Sequence, residues 1–232
     1  MPEHTSKQFD AELEDVRTRV LQMGGLVEEQ IRRAVDALGS GDMQEIELVQ
    51  ANDHRVNAME VDLDEACSHI IARRQPAASD LRLIIAVIKT ITDLERIGDE
   101  AEKIARMAKL IHEAERMHLP RLEIKHVANL ALGMLRKALD AFARLDVTAA
   151  QQVVAQDEAV DSEFRSILRQ LITFMMEDPR TISRCLEILF VAKALERIGD
   201  HSKNMAEYVV YMVEGRDVRH MRADAIGRAV NE

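Results

Sequence analysis

Leu94-Glu95-Arg96-Ile97-Gly98-Asp99 returns unchanged as Leu195-Glu196-Arg197-Ile198-Gly199-Asp200. The copies lie 101 residues apart (Glu95 to Glu196, Asp99 to Asp200), close to half of the 232-residue chain. The flanks extend the match: Ile85 pairs with Leu186, Val87 with Ile188, Ala101 with Ser202, Ile104 with Met205 and Ala105 with Ala206. Another segment repeats at nearly the same offset, Asp53-His54-Arg55-Val56-Asn57 against Asp157-Glu158-Ala159-Val160-Asp161. Such self-similarity marks a duplicated unit of about 100 residues.

The unit reads as three helices. Phe9, Leu13, Val16, Val20, Met23, Val27, Ile31, Ala34 and Leu38 recur at spacings of three and four, the seam of one long amphipathic helix. Gly24-Gly25 interrupts it, at about 1 kcal/mol per glycine relative to alanine, which points to a bend or to close packing. Gly39-Ser40-Gly41 ends it. Asp42 with Glu45 resembles a capping box for a second helix through Ile46, Val49, Val56, Met59, Leu63 and Ile70, stopping before Pro76. A third helix is predicted from Ser79 or Asp80 to about Met117, where Pro120 breaks it. The second half repeats the plan. Helix four carries Ile124, Val127, Leu130, Met134, Leu135, Ala138, Leu139 and Phe142, and Asp146 caps helix five. Asp178-Pro179 opens helix six, a cap followed by proline at the first helical position, and Gly215 stops it. The predicted fold is all-α: two tandem three-helix bundles, residues 1–117 and 118–215, and a tail over 216–232 without a clear apolar stripe.

Composition narrows the function classes. A net charge of −10 argues against nucleic-acid binding, which needs a basic face for phosphates. Aromatic residues are only 3% and tryptophan is absent, which suits helices packed through Leu, Ile, Val, Ala and Met. The longest apolar run, Leu83–Ile88, is far too short to span a bilayer, so membrane association is expected only through partners. The first 20 residues are polar and show no signal sequence. Cys67 and Cys185 lie inside apolar patterns in different halves, as packing residues in a reducing, cytoplasmic protein.

Acids fall on the apolar lines. At about 100° per residue, Asp157 and Asp161 are about 40° apart and collinear with Val153, Phe164 and Leu168. Glu196 and Asp200 extend the line of Cys185, Leu189 and Ala192, and Glu95 and Asp99 follow Ile84, Ile88 and Ile91, with Glu102 continuing the column. Asp53, Asn57, Glu60 and Asp64 form a fourth column. Buried like charges need compensation. Three forms are open. Oxygen-rich side chains from two antiparallel helices can cage a hard cation such as Fe³⁺, Mg²⁺, Mn²⁺ or Ca²⁺. Arg96, Arg197, Arg106 or Lys203 can pair with the acids. Or the stripe rotates, Leu94, Ile97, Ala101 and Ile104 take the core, and the acids stay in water.

Other signals are weaker. Glu115-x-x-His118 and Glu123-x-x-His126 match the Glu-x-x-His of di-iron bundles but flank Pro120 at the junction of the halves. His201 follows Asp200 and could join a metal site there, but reads first as a surface residue. There is no glycine-rich phosphate loop, nucleophile elbow or assembled acid–base–nucleophile set, so no catalytic residue is assigned.

The two Leu-Glu-Arg-Ile-Gly-Asp blocks, Ile71-Ala72-Arg73-Arg74-Gln75-Pro76 followed by Ser79-Asp80-Leu81-Arg82, the run Met175–Ile182, and Val213-Glu214-Gly215 with Val218-Arg219-His220 resemble the PhoU family of phosphate-specific transport accessory proteins. The resemblance runs from about Ser6 to His220. It implies a non-enzymatic, cytoplasmic, homodimeric negative regulator of phosphate uptake and phosphate-starvation signalling. Its implied partners are a sensor histidine kinase and the ATPase subunit of a phosphate ABC transporter. It also implies iron or zinc bound through Glu/Asp-x-x-x-Asp motifs, with magnesium or manganese suited by the carboxylates. Glu95/Asp99, Asp157/Asp161 and Glu196/Asp200 match that motif, and Asp53/Asn57 departs from it by an amide. Two metal clusters are therefore expected, Asp53, Asn57, Glu95 and Asp99 in one half and Asp157, Asp161, Glu196 and Asp200 in the other, the second binding better for its fuller charge. The repeated Arg-Ile-Gly-Asp turns are the expected regulated surface. The rival from another class is a carboxylate-bridged metalloenzyme in a helical bundle.

Overall fold

The computed structural model describes residues 7–113 and 122–219. Six α-helices and one 3₁₀ turn build it: α1 (Lys7–Ser40), α2 (Met43–Arg74), α3 (Ala78–Glu113), α4 (Ile124–Arg144), α5 (Val147–Glu177), the turn Pro179–Thr181, and α6 (Ile182–Glu214). No strand occurs among the described residues. The expected third-helix end at Met117, the break at Pro120, the Glu115/His118 pair and the boundary at 117/118 lie outside them.

Local chemistry sets the helix ends. Gly41 turns the chain at φ 74°, and the Asp42 carboxylate accepts from the N–H of Gln44 at 2.9 Å, satisfying one of the donors a helix start leaves free. The reciprocal half of the expected capping box is missing. Glu45 pairs instead with Arg33 at 3.0 Å, and the Asp42 N–H donates to Ser40. Asp146 caps α5 through the N–H of Ala149 at 2.9 Å, and Gly215 ends α6 in the left-handed region at φ 72°. Pro179 opens a 3₁₀ turn, so α6 proper starts at Ile182 rather than directly after Asp178. Past α6, Val218 is buried, so the tail contributes a core residue that its composition did not announce.

Each half packs its three helices against one another: α1, α2 and α3 in the first, α4, α5 and α6 in the second. The α1 stripe from Phe9 to Ala34 is buried along its length. Each fully buried Leu, Ile or Phe there contributes roughly 1.5–3 kcal/mol. The halves then join along α3 and α6, with α1 against α4 beside them. The pairings Arg82–Gly215, Lys89–Tyr211, Asp93–His201, Glu100–Arg197 and Leu110–Arg184 step in opposite directions, so α3 and α6 are antiparallel. One continuous hydrophobic core results. Gly24 shows what the glycine pair in α1 does: a Cβ there would collide with the Leu139 side chain, whereas a Cβ at Gly25 would meet nothing within 4 Å. Close packing of α1 on α4 is the reason, and α1 continues through both glycines.

The α3–α6 junction holds a buried polar set. His201, expected at the surface, is 7% exposed, and its Nδ1 lies 2.7 Å from Asp93 Oδ1. Asn204 Nδ2 donates to the same oxygen at 3.3 Å. Asp93 draws the histidine inward because α3 and α6 cover it from both halves, and its equivalent in the second copy is Ala194.

Candidate functional site

In the first half, α2 presents Asp53, Asn57 and Glu60 on one face, at spacings of four and three. The facing stretch of α3 presents Glu95, Asp99 and Glu102 at the same spacing. The columns meet. Burial, then the charges of Asp99 and Glu102, push the Asp53 carboxyl above its ordinary range, and the Asn57 amide pulls against them. Burial, then Asp99, Glu60 and Asp53, do the same to Glu95. Asn57 Nδ2 donates to Asp53 Oδ2 at 3.3 Å, and Thr92 Oγ1 donates to Glu60 at 3.2 Å. Asp53 Oδ1 and Asn57 Oδ1 are buried without a hydrogen-bond partner. A cleft beside this seam is lined by Asp53, Asp99, Glu100, Glu102 and the cations Arg96, Lys103, Arg106 and Arg197.

In the second half, α5 supplies Asp157 and Asp161, and α6 supplies Glu196 and Asp200. Asp157 is 8% exposed. Asp200 is pushed up to about 6, by burial first and then by Glu196, Asp157 and Asp161, against the pull of Lys193. Burial, Asp157 and Glu196 raise Asp161. Two lysines answer these charges. Lys203 Nζ donates to Asp157 Oδ2 at 2.7 Å, and Lys193 Nζ donates to Glu196 Oε1 at 2.6 Å while lying over the Phe164 ring. Burial lowers Lys203, but the hydrogen bond and charge of Asp157 outweigh it and its net shift is upward.

Two of the three compensations weighed from sequence, the rotated stripe and the internal ion pairs, are present in part. Leu94, Ile97, Ala101 and Ile104 do take the core, and Asp99 is exposed. Lys203 is the internal cation of the second seam, and Arg197 pairs with Glu100 across the halves at 2.6 Å rather than with the acids of its own motif. Hard oxygen donors crowded enough to resist ionisation, two of them buried and unsatisfied, fit a cation in the first seam. Among the described residues, no three His, Cys, Asp or Glu side chains already converge as a ready ligand set. Gly98 and Gly199 are buried under Val56 and Val160, at 3.3 and 3.4 Å from the Cβ each lacks, so they serve helix packing and not an accessible backbone surface.

Four residues were missed or left unassigned by the motif. Glu60 and Glu102 extend the columns by three residues, a visible signal. Lys193 lies one turn before Glu196. Gln30 on α1 is the least expected: it is 1% exposed, and its side-chain oxygen and nitrogen both lack partners. Its signal was a polar residue in the α1 stripe, three after Val27 and four before Ala34.

The geometry defines a class: an all-helical protein of two similar three-helix units, each with an acid-lined seam between its second and third helices. The family follows from comparison. The PhoU domain matches this chain twice, over residues 20–108 and 124–209. The phosphate-specific transport system accessory protein PhoU homolog of Pseudomonas aeruginosa is 52% identical over 220 residues, covering 94% of this chain and 90% of that protein. The crystal structure of PhoU from Pseudomonas aeruginosa superposes with a TM-score of 0.87 at 50% identity, covering 90% of this chain and 100% of that one. The phosphate transport system regulatory protein PhoU from Streptococcus pneumoniae superposes with a TM-score of 0.84 at 30% identity, covering 90% of this chain and 99% of that one. The chain belongs to the PhoU family, whose proteins are accessory to phosphate transport.

Proposed function

We propose that this chain is a non-enzymatic regulator of phosphate uptake and phosphate-starvation signalling. It acts in the cytoplasm as a homodimer, between a sensor histidine kinase and the ATPase subunit of a phosphate ABC transporter, and restrains the starvation response when phosphate is plentiful. The names of its relatives, accessory and regulatory proteins of phosphate transport, support this reading. So does the absence, among the described residues, of any helix long and apolar enough to cross a membrane, which leaves membrane contact to partners. The observation that carries it is the pair of acid-lined seams. They place crowded carboxylates on long helices suited to contact. The carboxylates would hold a hard cation such as iron or manganese, which would supply charge neutralisation, locking α2 to α3 and α5 to α6.

The test is a strain lacking the gene, complemented with the wild type or with Glu95→Gln, Asp99→Asn, Glu196→Gln and Asp200→Asn combined. In phosphate-rich medium the deletion should switch on a phosphate-starvation reporter. The fourfold variant should do so too while remaining folded and abundant. Repression that survives the deletion would end the regulatory reading, and repression by the fourfold variant would remove the seams from it.

A further inference from the structure

The Cβ that Gly98 lacks would lie 3.6 Å from Gln30 Oε1 and 3.8 Å from Asp53 Oδ1, so both oxygens border one small space over that glycine. Both are buried and have no hydrogen-bond partner, and the Gln30 nitrogen has none either. A buried amide with neither end satisfied is destabilising unless something outside the chain meets it. The apolar surroundings on α1 offer nothing: its neighbours along the stripe are Val27, Ile31 and Ala34, all fully buried.

The second half shows what the position holds without that demand. The Cβ absent from Gly199 would meet Val160 at 3.4 Å, as Gly98 meets Val56, and Met134 Sδ at 3.7 Å where the first half has the glutamine. Met134 on α4 therefore occupies the place of Gln30 on α1. Methionine fills such a gap with no polar atom to satisfy beyond a weak acceptor. A glutamine of similar length in the same niche adds only hydrogen-bonding groups.

We propose that Gln30 is a binding residue of the first seam: its side-chain oxygen, brought by a third helix, meets a hard divalent cation held by Asp53 and Asp99, or that cation's bound water. This rests on the reading of the first seam as a cation site and assigns that site its neutral interior oxygen. Asn57 and Gln30 together make the first seam richer in neutral oxygens than the second, which has Asp161 and Met134 at those places. Neutral oxygens complete a Mg²⁺ or Mn²⁺ shell without adding charge.

The experiment uses the full-length chain, stripped with chelator and carrying Asp161→Asn and Asp200→Asn so that the first seam is read alone. Mn²⁺ is titrated and followed by electron paramagnetic resonance. Gln30→Met should weaken Mn²⁺ binding roughly 10- to 100-fold, as losses around a metal shell do. The same variant should melt no lower than its parent in chelator, because the glutamine is unsatisfied there. Gln30→Glu should tighten Mn²⁺, and it serves as the test if the methionine variant fails to fold. Unchanged Mn²⁺ affinity in Gln30→Met, or unchanged or weaker affinity in Gln30→Glu, overturns the proposal. Asp53→Asn with Asp99→Asn separates the two readings. If it leaves Mn²⁺ binding intact, the first seam is not the cation site at all.

Discussion

The α2–α3 seam gathers Asp53, Glu60, Glu95, Asp99 and Glu102 with the amide of Asn57, Gln50 and Arg106 reach Glu102 from its edge, and among the described residues no lysine bonds to these acids. The α5–α6 seam gathers Asp157, Asp161, Glu196 and Asp200, and two lysines hold two of the four. In the repeat, Glu102 corresponds to Lys203 and Glu60 to Phe164. One duplicated surface thus meets its charge differently in its two copies. The second has lysines bonded to its acids, and the first leaves Asp53 Oδ1 and Asn57 Oδ1 buried without a hydrogen-bond partner. Motif charge alone ranks the second site as the better binder, since it has four carboxylates against three and an amide. We propose that the side chains beside the motif reverse that ranking, because a lysine already bonded to Asp157 would compete with a metal for it.

The largest effect should come from exchanging the residues that separate the seams. With the other seam neutralised, Glu102→Lys should weaken Mn²⁺ at the first site roughly 100-fold, and Lys203→Glu should strengthen the second by a similar factor. Equal affinities across both exchanges, read by calorimetry, would break the comparison. A smaller change is expected within the motif. Asn57→Asp should tighten the first site, and Asp161→Asn loosen the second, by roughly tenfold each, because affinity for hard cations follows ligand charge.

The smallest effect is on stability and is a matter of pH. The Asp200 carboxyl is raised to about 6 in the folded protein, so the native state holds its proton where the unfolded chain, near the ordinary aspartate value, has lost it. Stability from this group is complete below about pH 4, falls as pH rises towards 6, and is level above. In chelator, Asp200→Asn should therefore raise stability at pH 7.5 by about 1–2 kcal/mol, discounted for partial exposure. It should also flatten the decline between pH 4 and 6. A wild-type melting curve that does not fall across that range would show that the second seam is not under charge strain.

Helix order, caps and the duplication were readable because they are local. Spacing at three and four, Asp42 and Asp146 before apolar runs, and Gly41 and Gly215 at reversals each act within a turn of their own chain. The facing of Asp53 with Asp99 was readable too, since antiparallel neighbours of a repeated unit leave few registers. His201 was misplaced because its partner Asp93 lies 108 residues away on another helix. Gln30 was passed over because one polar residue in an apolar stripe looks like noise until the space it faces is known.

The sequence by itself therefore determined the six helices, the two matched halves and the columns of acids, because helical periodicity and repetition are written in residue order. Only the tertiary structure decided which charges are answered from within. Lys203 reaches Asp157, Arg197 leaves its own motif for Glu100, and α1 turns an unsatisfied amide toward Gly98. Those outcomes depend on which helices lie within a few ångströms of each other, and distances between helices are set by packing across the whole molecule.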